Sequence, residues 1–184
     1  MSDPVNMVQL VRDLPSRPRG RACIVLTHEY GGQKEWAAEL ARQTDSEHLD
    51  LLELFAQDAK LSSKIGQFLI PSLFEFLKNH GQASVLVISG MEFLKATWAG
   101  QSNVIEQFAS HVETWNKKPC LLFVLQYDKI IATREYRRYR QYTFVVDQKE
   151  TLALGDGLVS SRGSRSSKCA VRNSSAEKLG LRRI

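Results

Sequence analysis

Three segments of the chain are strand-length and apolar on both faces: 22–27 (ACIVLT), 84–89 (SVLVIS) and 120–126 (CLLFVLQ). A strand built this way has no side to show to water, so it must be covered on both faces. Helical patterns lie between these runs. Residues 33–42 bring Trp36, Ala37, Leu40 and Ala41 onto one face. Residues 62–79 carry Ile65, Phe68, Leu69, Leu73, Phe76 and Leu77 as a stripe, which Pro71 must kink or restart. Residues 102–116 turn Val104, Ile105, Phe108, Val112 and Trp115 inward. The alternation predicts an α/β fold, a three-layer sandwich with a mainly parallel central sheet. Residues 48–55 (HLDLLELF) read as a further strand and 134–141 as a polar helix or extended arm. Residues 142–146 and 151–154, flanking a charged tip, read as a C-terminal hairpin.

At 184 residues the chain has room for one ordinary domain. Pro4, Pro15, Pro18 and Gly20 mark 1–20 as a lead-in, and the α/β body is expected over 21–159. The formal charge of +5 is concentrated at one end. Residues 160–184 hold seven basic residues against Glu177, for +6, which leaves −1 for the rest. With seven serines between Ser160 and Ser175, this stretch reads as a basic, disordered tail, either a phosphate-seeking arm or a solvated extension. No apolar run reaches the roughly 20 residues of a membrane span, and no basic-then-apolar leader opens the sequence. Cys23, Cys120 and Cys169 are odd in number and lack CxxC spacing. They point to a reducing, cytoplasmic setting, with neither a disulfide framework nor a zinc site. The four histidines are dispersed, so no metal ligands are assigned.

In a parallel sheet the ligand crevice lies beyond the carboxyl ends of the strands. The segments that matter are therefore those after 22–27, 84–89 and 120–126. The first runs Thr27-His28-Glu29-Tyr30-Gly31-Gly32-Gln33-Lys34-Glu35 into the predicted helix. Strand, glycine-bearing loop, lysine and helix is the layout of a Walker A loop, GxxxxGK[ST]. Lys34 matches. His28 and Gln33 stand where glycines belong, and Glu35 stands where a hydroxyl would ligate Mg²⁺. A helix N-terminus with a lysine still attracts anions, which makes Gly31, Gly32, Lys34 and Glu35 the candidate phosphate-binding set. The alternative is a plain strand-to-helix loop with a surface lysine. The second segment, Ser89-Gly90-Met91-Glu92, is similar to the end of a Walker B strand that has lost its aspartate. Glu92 is its remaining carboxylate and the one catalytic candidate. The third strand ends in Gln126, which with Ser89 takes a sensor-like position.

The three segments, in this order and over about 22–155, resemble a P-loop NTPase of the RecA/AAA kind whose nucleotide site has decayed. Size and degenerate loop also loosely resemble small P-loop accessory subunits of BREX-type phage-defence systems and ATPase-dead partners of recombinases. The resemblance implies a non-hydrolysing or partner-dependent subunit of a DNA-processing assembly, in contact with DNA or with a partner ATPase. Two alternatives stand beside it. One is an active ATPase that binds ATP, with or without Mg²⁺, and is completed by another subunit or a second copy. The other is a pure interaction scaffold. No membrane partner is expected.

The segment 133–142 (TREYRRYRQY) interleaves Arg134, Arg137, Arg138 and Arg140 with Tyr136, Tyr139 and Tyr142. On a helix the tyrosines share a face. Arginines that hold phosphates beside tyrosines that stack on bases would make a nucleic-acid surface. An arginine directed at a partner's nucleotide is the second reading, and tyrosines packed on the sheet with arginines in water the third. Trp98, in a polar stretch, is either a partner anchor or a core residue.

Overall fold

The computed structural model describes residues 2–29 and 31–155; the basic stretch 160–184 lies outside them. The chain divides into two units, Met1–Leu152 and Ala153–Ile184, and the elements that form the fold belong to the first.

The core of that unit is a five-stranded sheet in which every pairing is parallel, with spatial order β2-β3-β4-β1-β5. The strands are β1 (Ala22–Thr27), β2 (Glu47–Asp50), β3 (Val85–Ser89), β4 (Cys120–Gln126) and β5 (Val145–Asp147). The helices are α1 (Met7–Asp13), α2 (Gln33–Thr44), α3 (Leu51–Gln57), α4 (Ala59–Ser63), α5 (Ile70–Lys78), α6 (Glu92–Thr97), α7 (Val104–Thr114) and α8 (Lys129–Thr133). The crossover from β1 to β2 runs one way along the sheet, and the three later crossovers run back. Right-handed connections then place α2 on one face and the helices of the later crossovers on the other. The packing agrees: α2 lies on β2, β3 and α1, while α7 lies on β1, α5 and α8. The predicted α/β three-layer architecture is thus the observed one. β1, β3 and β4 fall where their apolar runs lie, buried along almost their whole length.

The reversal of direction falls between β1 and β4, which are neighbours in register from Ala22↔Leu121 to Thr27↔Gln126. A doubly wound sheet opens its crevice at this kind of point, at the carboxyl ends.

Several expectations are corrected. The strand expected over 48–55 ends at Asp50, whose carboxylate accepts from the Glu53 N–H and so starts α3. The helix expected over 62–79 is broken: α4 ends at Ser63, a 3₁₀ turn covers Ile65–Gln67, and Pro71 opens α5 from its first turn. Of the two readings of 134–141, the polar helix does not form, because α8 stops at Thr133 with Arg134 extended. The Arg138 N–H is met by the Glu113 carboxylate at 2.9 Å instead of by a helical carbonyl. No hairpin forms over 142–154. β5 pairs parallel to β1, Asp147 caps a 3₁₀ turn at Gln148–Glu150, and Thr151 bridges Val5 in parallel. Within the lead-in, Asn6 caps α1, and Met7, Val11 and Leu14 are buried. Of the two readings of Trp98 the core residue is the observed one: it is buried, its indole N–H donating to the Phe68 carbonyl at 2.9 Å.

Candidate functional site

The carboxyl ends of β1, β2, β3 and β4 bring the three candidate segments together. The loop after β1 turns through Gly32, whose φ of +81° is a left-handed conformation that glycine takes without cost. Its carbonyl accepts the Trp36 N–H and α2 begins at Gln33. Gly31, Gly32, Lys34 and Glu35 are all exposed, and a Cβ placed on either glycine would meet no atom within 4 Å. Gly32, Lys34 and Glu35 border an open cleft of about 290 Å³ completed by Gln33, Asp50, Leu52 and Gly90; Gly31 does not line it.

Two side-chain sets fill what a phosphate loop would leave to its ligand. In the first, Lys34 reaches across to β2 and α3. Its Nζ is 2.9 Å from Glu53 Oε2 and 3.3 Å from Asp50 Oδ2. The hydrogen bonds to Glu53 and Asp50 hold the lysine pKa above its ordinary value. Asp50 is in turn pressed against Gly90, where a Cβ would collide with Asp50 Oδ1. In the second set, Gln33 folds back over the crevice between β1 and β4. Its Nε2 donates to Thr27 Oγ1 and, at 3.0 Å, to Gln126 Oε1. Gln126 Nε2 donates to the His28 carbonyl at 3.3 Å. Glu92 closes this set from below: its Oε1 accepts the Gln126 N–H at 2.7 Å and its Oε2 lies 3.4 Å from Lys95 Nζ.

Ser89 does not face the cleft. It is 1% exposed, and its hydroxyl is joined to His48 Nε2 at 2.8 Å across the β2–β3 pair. Burial is the main cause that pushes the His48 pKa down. The position after Lys34 offers a carboxylate in place of a hydroxyl, and the lysine amine is already engaged by two more carboxylates. A donor set of this composition does not fit a Mg²⁺-nucleotide as a phosphate loop holds it.

At the other side of β1, His28 Nε2 donates to Asp147 Oδ2 at 2.7 Å, and its ring stacks on Tyr127 with centroids 4.8 Å apart. Burial raises the Asp147 pKa, but the His28 and Lys149 N–H contacts outweigh it and the net shift is downward. The sequence marks Gln33 and His28 only as departures from the loop pattern; Thr27, Asp50, Glu53 and the pairing of His28 with Asp147 are not singled out in it. For Asp50 and Glu53 a signal existed: an aspartate three residues before a glutamate at the head of an apolar helix.

The basic aromatic segment is a different place, at the amino-terminal end of β5. Arg134 is committed internally, with Nε 2.9 Å from Glu106 and Nη1 2.9 Å from Glu113. Its guanidinium also lies 4.8 Å from the Tyr136 ring centroid. Tyr136 stacks on Phe144 at 5.4 Å, and burial pushes its pKa up to about 12. Tyr139 and Tyr142 also pack against the core. With no helix here, the tyrosines share no helical face. Arg137 is paired with Glu135, whereas Arg138 and Arg140 are exposed and their side chains have no partner among the described residues.

Cys23 and Cys120 are buried and unpaired. Burial pushes the Cys23 pKa up to about 12 and raises that of Cys120. Among the described residues no cluster of three or more metal-ligating side chains occurs, and no helix is long and apolar enough to cross a membrane. Comparison of the chain with protein families, with curated proteins and with solved structures finds no match.

Proposed function

We propose that this chain is a P-loop-like accessory subunit of a DNA-processing assembly that does not itself hydrolyse nucleotide. The observation that carries the proposal is the pairing of Lys34 with Asp50 and Glu53. In a working phosphate loop the lysine meets phosphate oxygens. Here two carboxylates of the same chain stand in for those oxygens. The likeness to the RecA/AAA kind is supported by the meeting of the Walker-A-like, Walker-B-like and sensor-like segments at the carboxyl edge, with β4 between β1 and β3. The loss of hydrolysis is supported by Glu35 after the lysine, by Ser89 turned to His48 and by Glu92 bound to Gln126. The sheet and its loops would then be kept as a platform for a partner subunit.

The test is a titration of fluorescent ATP against the full chain, with and without Mg²⁺, alongside Lys34→Ala. The expected result is no saturable binding at millimolar nucleotide and no difference between the two proteins. Saturable, Mg²⁺-dependent binding that disappears in Lys34→Ala would put the partner-completed ATPase in first place.

A further inference from the structure

The two ends of the sheet differ in charge. Around the carboxyl ends stand Glu35, Asp50, Glu53, Glu92, Asp128 and Asp147, with Lys34 and Lys95 paired among them. The amino ends show the reverse. Three neighbouring strands, β4, β1 and β5, are entered through residues 115–119, 17–21 and 137–143. Together these entry segments hold eight lysines and arginines and no acidic residue. The segments entering β2 and β3 add nothing of the kind.

The three segments are fastened to one another. The Arg21 N–H donates to the Trp115 carbonyl at 2.8 Å, and the Leu121 N–H to the Arg21 carbonyl at 3.0 Å. Arg17 lies over the Tyr142 ring, 4.7 Å from its centroid. Tyr142 and Phe144 close on Gly20, where a Cβ would come within 2.8 Å of the Tyr142 ring. The Arg138 N–H is held by Glu113 at the end of α7, two residues before Trp115. The acids nearest this edge are already used, Glu113 by Arg134 and Glu135 by Arg137. Arg19, Lys117, Lys118, Arg138 and Arg140 are exposed and in no ion pair among the described residues. The charges acting on buried Cys120 are Arg21, Arg17 and Lys118, all cations.

We infer that this amino-terminal edge is a binding surface for the phosphodiester backbone of nucleic acid. The choice of nucleic acid over an acidic protein follows from what the surface lacks. Protein hot spots centre on aromatic or Arg anchors seated in well-packed, desolvated pockets. Among the described residues the exposed large hydrophobics, Leu52, Leu69, Tyr127, Ile130 and Leu152, all lie outside the three segments. A set of exposed cations on segments tied together by backbone bonds suits recognition of backbone phosphates, which positions without specifying sequence. The inference rests on the DNA-processing reading above for its ligand class. It places that ligand at the end of the sheet opposite Lys34.

Binding of a labelled 20-base-pair DNA duplex to the full chain, measured by anisotropy over a salt series, tests this. Arg138→Glu/Arg140→Glu is compared with Lys60→Glu/Lys64→Glu, which changes net charge equally on α4 and the following turn, and both retain residues 160–184. The expected result is at least a tenfold loss of affinity in the first variant, a salt slope shallower by about 0.9 per phosphate contact removed, and a change below twofold in the second. Equal losses in both variants, no loss in either, no binding by the parent chain, or equal competition by polyglutamate would each overturn the proposal. A second measurement needs no variant: bound duplex should slow acetylation of Lys117 and Lys118 and leave Lys60 and Lys64 unchanged, and uniform protection would overturn it. Mg²⁺-dependent ATP binding through Lys34 would put the partner-completed ATPase in place of the non-hydrolysing reading and leave this result untouched, so the two fail separately.

Discussion

Lys34 and Glu53 are joined across the mouth of the candidate phosphate cleft, Nζ to Oε2, at 2.9 Å. The pair is exposed, so its significance lies in competition for the lysine more than in stability. Removing the competing charges should free the amine. In Asp50→Asn/Glu53→Gln the cap of α3 is kept, since asparagine caps as well as aspartate. Calorimetry with pyrophosphate should then show millimolar binding that the parent lacks and that a further Lys34→Ala abolishes. If the double variant gains no anion binding, the carboxylates are not what closes the loop.

Gly90 should be intolerant of any side chain. Its φ is +71°, and a Cβ would collide with Asp50 Oδ1 and stand 3.1 Å from the Leu52 nitrogen. The Asp50 carboxylate cannot simply swing away, because it caps α3 through the Glu53 N–H at 3.2 Å. Gly90→Ala therefore combines left-handed strain with a lost cap, and should cost about 1–3 kcal/mol. For a domain of this size each kcal/mol lowers the melting temperature by roughly 2–4 °C. A melting temperature equal to the parent's would contradict this account of the β3 exit.

Those strands whose burial is two-sided were legible because no other element tolerates such a run at that length. β1 and β4 matched to the residue. β2 was legible only in part: His48 to Phe55 suits either period, and what separates strand from helix is the cap made by one aspartate oxygen. The site was legible as a location and not as a network. Order along the chain put Lys34, Ser89, Glu92 and Gln126 at one sheet edge, but no spacing rule predicts that Gln33 folds back onto Thr27 and Gln126. The tyrosine repeat of 136–142 misled for a related reason. A period of three suits a helix, yet Glu113 of α7 supplies the acceptor that takes the Arg138 N–H elsewhere. Such long-range side-chain capping leaves no local trace.

Glu113 should prove to be the residue that shapes the basic segment. It is 7% exposed, and its two oxygens take Arg134 Nη1 and the Arg138 N–H, both at 2.9 Å. Glu113→Ala would leave a mostly buried guanidinium with only the exposed Glu106 as partner, at a cost of about 2–4 kcal/mol. Glu113→Gln keeps an acceptor for one donor and should cost about half as much. Urea denaturation of the two variants measures the order. Equal, small losses would mean that Arg134 is free to act outside the fold, as an arginine directed at a partner's nucleotide must be.

His48 gives the fold a dependence on pH in a defined window. Its ring is partly buried and joined to Ser89, and burial lowers its pKa from the ordinary 6.5, against the raising effect of Asp50 and Glu53 and with the lowering effect of Lys34. A histidine whose folded pKa lies below its unfolded value takes up its proton more readily when unfolded. Its contribution is therefore fully present above about pH 6.5 and is lost as pH falls from there through the folded pKa. Because the ring keeps contact with water, the slope should stay well under the roughly 1.4 kcal/mol per pH unit that one proton can supply. Asp147, whose pKa is also lowered, loses its contribution only in the carboxylate range below this window. Urea midpoints measured from pH 7.5 to 5.5 should fall in the parent relative to His48→Gln, with the difference between the two proteins largest at the acidic end. A difference that does not change with pH would leave His48 without a titrating role.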